Sequence, residues 1–113
     1  MHEMSIAESV LGIVEESARR EGFRQVREVR LEIGRLAAIE PEALRFCFEA
    51  VVRGSVAEGA RLAIDEVPGR AWCLKCSNAV SVDSRVCECP LCGSLQLQVS
   101  GGDRMRVKDL VGL

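Results

Sequence analysis

The stretch that decides the organisation of this chain is CLKCSNAVSVDSRVCECPLCG, residues 73–93. It contains two Cys-x-x-Cys pairs, Cys73 with Cys76 and Cys89 with Cys92. Each pair presents two thiolates on one side of a tight turn, and two such turns supply four sulfur ligands at about 2.3 Å from a tetrahedral metal ion. Because four thiolates leave no coordination position for water, the spacing predicts a structural zinc site and not a hydrolytic one.

Iron competes with zinc for this pattern, because an all-sulfur tetrahedral site suits both metals. The turn Cys-Pro-x-Cys-Gly, here residues 89–93, also occurs in rubredoxin-like electron carriers. Zinc is favoured because Trp72 is the only aromatic residue within the cysteine module, whereas an iron site is expected to have an aromatic shell. Cys87 is interpreted as a non-ligand near the site, with an alternative ligand role left open. Cys47 is interpreted as a small core residue.

The sequence around the cysteines predicts a mixed α and β domain. Residues 71–93 hold five of the six cysteines and few large aliphatic residues, so a metal must supply their folding free energy. Ser5 and Glu8 resemble a capping box at the start of the first helix. From apolar periodicity, the predicted elements are a helix over 5–21, a strand over 25–34, a helix from Pro41 to Gly54, and strands over 62–67, 95–99 and 105–108. The final strand is expected to return to the first two strands, which makes the cysteine module an insertion in an α/β domain.

Composition excludes several classes of function. The net charge is −2, and the basic residues are spread along the chain and interleaved with acidic ones, so no basic surface for nucleic acid is expected. Most of them are arginines, and the only lysines are Lys75 and Lys108. A zinc-ribbon nucleic-acid-binding protein remains an alternative, because such ribbons occur with this cysteine spacing.

No apolar run is long enough for a membrane helix, and the N-terminus has no basic segment of a signal peptide, so a cytoplasmic protein is expected. With a single histidine, the chain offers no nucleophile–base pair, and no enzyme is expected.

The single histidine, His2, follows Met1 directly. A bulky second residue is expected to prevent removal of Met1. The amine of Met1, the amide nitrogen of His2 and its imidazole can then close adjacent chelate rings on one metal ion. The amide and side chain of Glu3 are within reach as further donors. A planar set of nitrogen ligands favours Ni(II) or Cu(II), and open positions would suit transfer of the ion.

Met-His-Glu-Met-Ser at residues 1–5, Gly34, Phe-Cys-Phe at 46–48 and the two cysteine pairs together resemble the HypA/HybF family. Members of this family are nickel metallochaperones for the maturation of [NiFe] hydrogenase. The similarity covers nearly all of the chain in order. It implies an α+β fold with two helices on a small three-stranded mixed sheet and an inserted zinc-ribbon-like module. The implied nickel-binding domain is residues 1–69 plus 100–113, and the implied zinc-binding domain is residues 70–99.

The resemblance also implies the cargo, the ligands and the partners. His2 is the principal ligand of a labile Ni(II) ion, with the Met1 amine and the backbone of Glu3 as further donors, and Zn(II) is structural. The implied partners are a HypB-type GTPase, the hydrogenase large-subunit precursor and, in some members, urease maturation factors. Glu40 stands where some members have an aspartate, which makes it a candidate for a fourth ligand. Gln96 and Gln98 stand where some archaeal members have a histidine ligand.

Overall fold

The computed structural model describes residues 2–113, and Met1 lies outside the described residues. The helices are α1 (His2–Glu21) and α2 (Pro41–Val51), and a 3-10 turn spans Arg35–Ala37. The strands are β1 (Val26–Gly34), β2 (Arg61–Val67), β3 (Gly69–Cys73), β4 (Ala79–Val82), β5 (Leu97–Gly101) and β6 (Met105–Gly112). They form two three-stranded sheets with the orders β2-β1-β6 and β4-β3-β5. The predicted return of the last strand to the sheet of the first two is therefore confirmed.

The described residues divide into two compact units. The first unit comprises Leu31 and the residues before it, Ile39–Asp65 and Arg106–Leu113, and the second unit comprises Glu32–Ala38 and Glu66–Met105. The fold class of two helices, small sheets and an inserted cysteine module is confirmed. The division into nickel-binding and zinc-binding domains stays a prediction. Within the described residues, no helix is long and apolar enough to cross a membrane.

The first unit has its core between the two helices and the strands of its sheet. Leu44 and Phe48 on one face of α2 are buried, and α1 packs against this helix. Pro41 begins α2 as predicted, because proline needs no amide acceptor in the first turn. The buried residues of α1, spaced by three or four, are Ala7, Val10, Val14 and Ala18. From β1, the fully buried residues are Val26, Val29 and Leu31.

The prediction that Ser5 caps α1 is wrong. The helix begins at His2, so Ser5 lies inside its first turns. His2, Glu3 and Met4 all tolerate helical backbone, and Glu3 lies in the first turn, where the partial positive charge of a helix favours an acidic side chain. The N-terminal residues are therefore part of a helix.

The second unit is built on β3, which pairs antiparallel with β4 on one side and β5 on the other. The cysteine-rich sequence did not predict β3, whose buried positions are the small residues Gly69, Ala71 and Cys73, or β4, which has only four residues. β5 begins at Leu97 and not at residue 95 as predicted. The buried core consists of Leu36, Ala71, Cys73, Val80, Val82 and Cys89.

Candidate metal centre

Four cysteines of the second unit converge on one point. Cys73 is the last residue of β3, Cys76 follows in the next turn, and Cys89 and Cys92 lie in the turn before β5. Their sulfur atoms all lie within 4.8 Å of one another. The structure therefore brings together the four cysteines that the sequence predicted.

The two Cys-x-x-Cys turns have matching backbone hydrogen bonds. In the first turn, the amide of Ser77 donates to the carbonyl of Cys73 at 2.9 Å. In the second, the amide of Gly93 donates to the carbonyl of Cys89 at 2.8 Å. Both residues that donate these bonds adopt the left-handed backbone conformation, with φ of 56° at Ser77 and 76° at Gly93. Glycine adopts this backbone without strain, whereas Ser77 is held in it by the turn.

The spacing of the sulfur atoms fits a tetrahedral ion. The Sγ atoms of Cys73 and Cys92 are 3.6 Å apart, and those of Cys76 and Cys89 are 3.8 Å apart. Metal–sulfur bonds of about 2.3 Å in a tetrahedron require sulfur–sulfur edges of about 3.8 Å. The arrangement therefore has the size of a four-thiolate metal site. This size suits zinc, and the geometry alone also suits iron.

The site also carries the electrostatic features of a thiolate ligand set. The amide of Cys76 donates to the sulfur of Cys73, and this bond is the main reason why the pKa of Cys73 is lowered to about 6. The amide of Ser94 lowers the pKa of Cys92, but partial removal from water and the three neighbouring thiols outweigh it and raise that pKa to about 11. Four negative sulfurs at this distance repel one another, so a dication is needed to hold all of them as thiolates.

Neither of the other cysteines joins this group among the residues that the structure describes. Cys87 is partly buried and packs against the core of the second unit. Cys47 is partly buried in α2. The interpretation of Cys87 as a non-ligand thiol and that of Cys47 as a core residue stay predictions, and both side chains are partly buried.

The N-terminal candidates lie at the start of α1. His2 is half-exposed, and its Nε2 atom lies 4.0 Å from an oxygen of the Glu3 carboxylate. The backbone amide of Glu40 donates to the same carboxylate oxygen at 3.2 Å. Because α1 begins at His2, the first amide nitrogens of the helix have no carbonyl acceptor within it. His2, Glu3 and Glu40 are thus brought together in the first unit, while the predicted ligand Met1 lies outside the described residues.

The carboxylate of Glu40 points back to its own helix. One of its oxygens accepts from the amide of Glu42 at 3.5 Å, which places Glu40 at the N-cap of α2. The sequence did not predict that the backbone of Glu40 holds Glu3, because the two residues are 37 positions apart. No local pattern identifies such a contact.

Comparison with known proteins identifies relatives along the whole chain. The family model described as "Hydrogenase/urease nickel incorporation, metallochaperone, hypA" matches residues 1–112. The hydrogenase maturation factor HypA of Azotobacter vinelandii is 61% identical over 110 residues, which are 97% of each chain. The protein of the same name from Azotobacter chroococcum mcd 1 is 60% identical over the same length.

A similar fold is found among solved structures. The solution structure of the Ni metallochaperone HypA from Helicobacter pylori superposes with a TM-score of 0.73 at 26% identity, over 100% of this chain and 98% of the other. Neither a nucleic-acid-binding ribbon nor a rubredoxin-like carrier is favoured by these matches.

Proposed function

This chain belongs to the HypA family of nickel metallochaperones, and on that premise we propose that it carries one labile Ni(II) ion on its N-terminal residues. In this proposal the amine of Met1, the amide and imidazole of His2 and the backbone of Glu3 bind the ion. A separate Zn(II) ion on the four cysteines is structural. The protein acts in the cytoplasm and delivers nickel without catalysing a reaction.

The observation that carries the nickel site is that α1 begins at His2. Amide nitrogens inside a helix donate to carbonyl groups, and a metal that displaces their protons would break those bonds. The first amides of a helix have no carbonyl acceptor in a preceding turn, so nickel can bind to the nitrogens of His2 and Glu3 without the loss of an amide–carbonyl bond of the helix. The half-exposed imidazole of His2 completes a chelate ring on the same ion.

The helical backbone also favours the chelate. A ring through two consecutive backbone nitrogens is flattest when the torsion between them, ψ, is near zero. Helical residues have ψ of about −42°, whereas extended residues have ψ of about +135°. The first turn of α1 is therefore much closer to the chelating conformation than an extended N-terminus would be.

The four-cysteine site has a different task in this proposal. Two of its sulfurs, those of Cys73 and Cys89, are buried in the core of the second unit. All four coordination positions are filled by protein, so the ion exchanges slowly and binds no substrate. Zinc analysis and an absorption spectrum of the purified protein test this assignment. One zinc per chain and no visible band are expected, while a thiolate-to-iron band would overturn the choice of zinc.

The proposed partners follow from the family. They are a HypB-type GTPase, the hydrogenase large-subunit precursor and, in organisms with urease, the urease maturation factors. Co-purification of the nickel-loaded chain with each purified candidate tests them, with the nickel-free chain as the control.

Nickel titration of zinc-loaded, untagged protein tests the proposed site. The wild-type chain and His2→Ala are compared by calorimetry in the presence of a competing chelator. We expect His2→Ala to lose at least about tenfold in nickel affinity while it keeps one zinc and its circular dichroism spectrum. Equal nickel affinity of the two proteins would exclude the N-terminal site.

A further inference from the structure

The sheet of the second unit has an exposed face, and a row of large side chains runs along it on β3. Successive residues of a strand point to opposite faces, so Arg70 and Trp72 share this face while the buried positions of β3 lie on the other. The amide of Leu74 donates to the carbonyl of Gln96 at 2.9 Å, which continues the pairing of β3 with β5 by one residue. Leu74 therefore extends the row. Trp72 is 42% exposed and Leu74 is 58% exposed.

The residues on either side of this row are uncharged, and most of them are small. Trp72 is paired across the sheet with Ala79 of β4 and Gln98 of β5. Arg70 is paired with Ser81 of β4. Residues directly opposite each other in a sheet share a face, and these three neighbours are all exposed. None of them places a negative charge beside the indole of Trp72. We call this surface the Trp72 face, and its members are Arg70, Trp72, Leu74, Ala79, Ser81 and Gln98.

Two positively charged side chains border the Trp72 face, and neither has an acidic partner among the residues that the structure describes. The guanidinium of Arg70 donates to the hydroxyl of Ser81 at 2.9 Å. Lys75 follows Leu74 directly and is exposed. By contrast, Arg35 of the same unit makes ion pairs with two carboxylates. The positive charge around Trp72 is therefore available to carboxylates of another molecule.

We propose that the Trp72 face docks one partner protein of nickel delivery, through a segment that presents carboxylates on both sides of an apolar side chain. The apolar side chain packs against Trp72 and Leu74, and the carboxylates pair with Arg70 and Lys75. Tryptophan and arginine are enriched among the residues that dominate the binding free energy of protein interfaces. Opposite charges at the rim of an interface raise the association rate and the specificity. The class of partner rests on the proposed function, whereas the chemistry of the face does not.

A single-stranded nucleic acid is the other ligand that an exposed tryptophan and nearby cations suit, because bases stack on aromatic rings. Such sites stack successive bases on several aromatic side chains and follow the phosphates with a positively charged groove. The Trp72 face has one aromatic residue, and the row continues with the aliphatic side chain of Leu74. An aliphatic contact suits an apolar side chain of a protein. The observations therefore favour a protein partner.

Fluorine NMR tests the proposal directly. Trp72 is the only tryptophan of the chain, so fluorinated tryptophan gives the zinc-loaded full-length protein one signal from the Trp72 face. The probes are the purified HypB-type GTPase, the purified hydrogenase large-subunit precursor and a single-stranded oligonucleotide of mixed sequence. We expect one of the two proteins to shift this signal, with weaker binding as the salt concentration rises. An unchanged signal with both proteins, or a shift with the oligonucleotide alone, would overturn the proposal.

Two matched pairs of variants locate the contact. Trp72→Ala and Phe46→Ala each remove an exposed aromatic side chain. Arg70→Glu and Arg53→Glu each reverse one exposed positive charge. By calorimetry with the protein that shifts the signal, Trp72→Ala and Arg70→Glu should lose at least about tenfold in affinity. Phe46→Ala and Arg53→Glu should stay within about threefold of the wild type. Equal losses within either pair, or no loss in Trp72→Ala and Arg70→Glu, would contradict the proposal.

The same samples distinguish a failure of docking from a failure of the nickel site. Zinc content is measured for every variant, so that a loss of affinity is assigned to the face only where the second unit is folded. His2→Ala lacks the proposed nickel ligand but keeps the Trp72 face, and its fluorine signal should shift with the same partner. Loss of nickel binding without loss of docking would leave this proposal standing. Loss of docking in His2→Ala would overturn it.

Discussion

The backbone amide of Glu40 donates a hydrogen bond of 3.2 Å to the carboxylate of Glu3, which joins the first turn of α1 to the N-cap of α2. The Glu3 side chain is only 12% exposed, because it faces this neighbouring backbone. Its carboxylate is therefore occupied within the protein. If Glu3 binds nickel, we expect its backbone nitrogen and not its side chain to be the donor.

The first prediction concerns the titration of Glu3. The amide of Glu40 is the main cause that lowers its pKa from 4.5 to about 2. Because the pKa is lower in the folded state, the contact stabilises the protein fully above about pH 4.5 and is lost as the pH falls towards 2. The carboxyl carbon of Glu3, followed by NMR, should titrate near pH 2, and the amide proton of Glu40 should shift with the same midpoint. A midpoint near 4.5 would show that the contact does not form in solution.

The second prediction distinguishes Cys92, a proposed zinc ligand, from Cys87, a nearby cysteine outside the four-cysteine cluster. Cys92→Ser removes a proposed ligand, so zinc affinity should fall by more than about 100-fold, since even the hydrogen-bond partners of ligands change affinity by 10–100-fold. Cys87→Ser removes the matched thiol outside the cluster and should keep the affinity within about threefold of the wild type. Competition with a chromophoric chelator measures both. Similar losses in both variants would make Cys87 a ligand.

The third prediction concerns two glycines with opposite surroundings. A Cβ atom at Gly34 would overlap the carbonyl group of Gly102, whereas one at Gly12 would meet nothing within 4 Å. Gly34→Ala should therefore lower the free energy of unfolding by about 2–3 kcal/mol, because backbone must move. Gly12→Ala, inside α1, should raise it by about 1 kcal/mol. Urea unfolding of the zinc-loaded proteins measures both changes, and a neutral Gly34→Ala would disprove the close approach.

The fourth prediction concerns an extension at the N-terminus. One additional residue before Met1 converts the proposed amine ligand into an amide, and it leaves every side chain in place. Nickel affinity should fall at least about tenfold, while zinc content stays at one per chain. The same residue added after Leu113 is the control. If the N-terminal extension leaves nickel affinity unchanged, the amine is not a ligand.

Local patterns in the sequence predicted much of this structure. The four cysteines could be placed together because each pair is fixed by its own tight turn, with matching bonds to the carbonyls of Cys73 and Cys89. The apolar periodicity of α1 and α2 predicts which face of each helix is buried, because a helix places residues three and four apart on one side. The start of α1 was missed because Ser5 and Glu8 resemble a cap, although the preceding residues also continue the helix.

Contacts between distant residues could not be predicted in this way. Leu36 follows a strand and has no periodic neighbours that would assign it to the cysteine core. β3 could not be predicted from the sequence, because its buried positions are Gly69, Ala71 and Cys73, which show little apolar alternation. The bond between Glu3 and Glu40 depends on how two helices pack, and no spacing within the sequence encodes it.

The most direct test of the account is X-ray absorption at both metal edges of one sample, loaded with one zinc and one nickel per chain. At the zinc edge, we predict four sulfur neighbours at about 2.3 Å, from Cys73, Cys76, Cys89 and Cys92. At the nickel edge, we predict nitrogen and oxygen neighbours with the scattering pattern of an imidazole and no sulfur. Sulfur scattering around nickel, or an imidazole around zinc, would contradict the assignment of the two ions to separate sites.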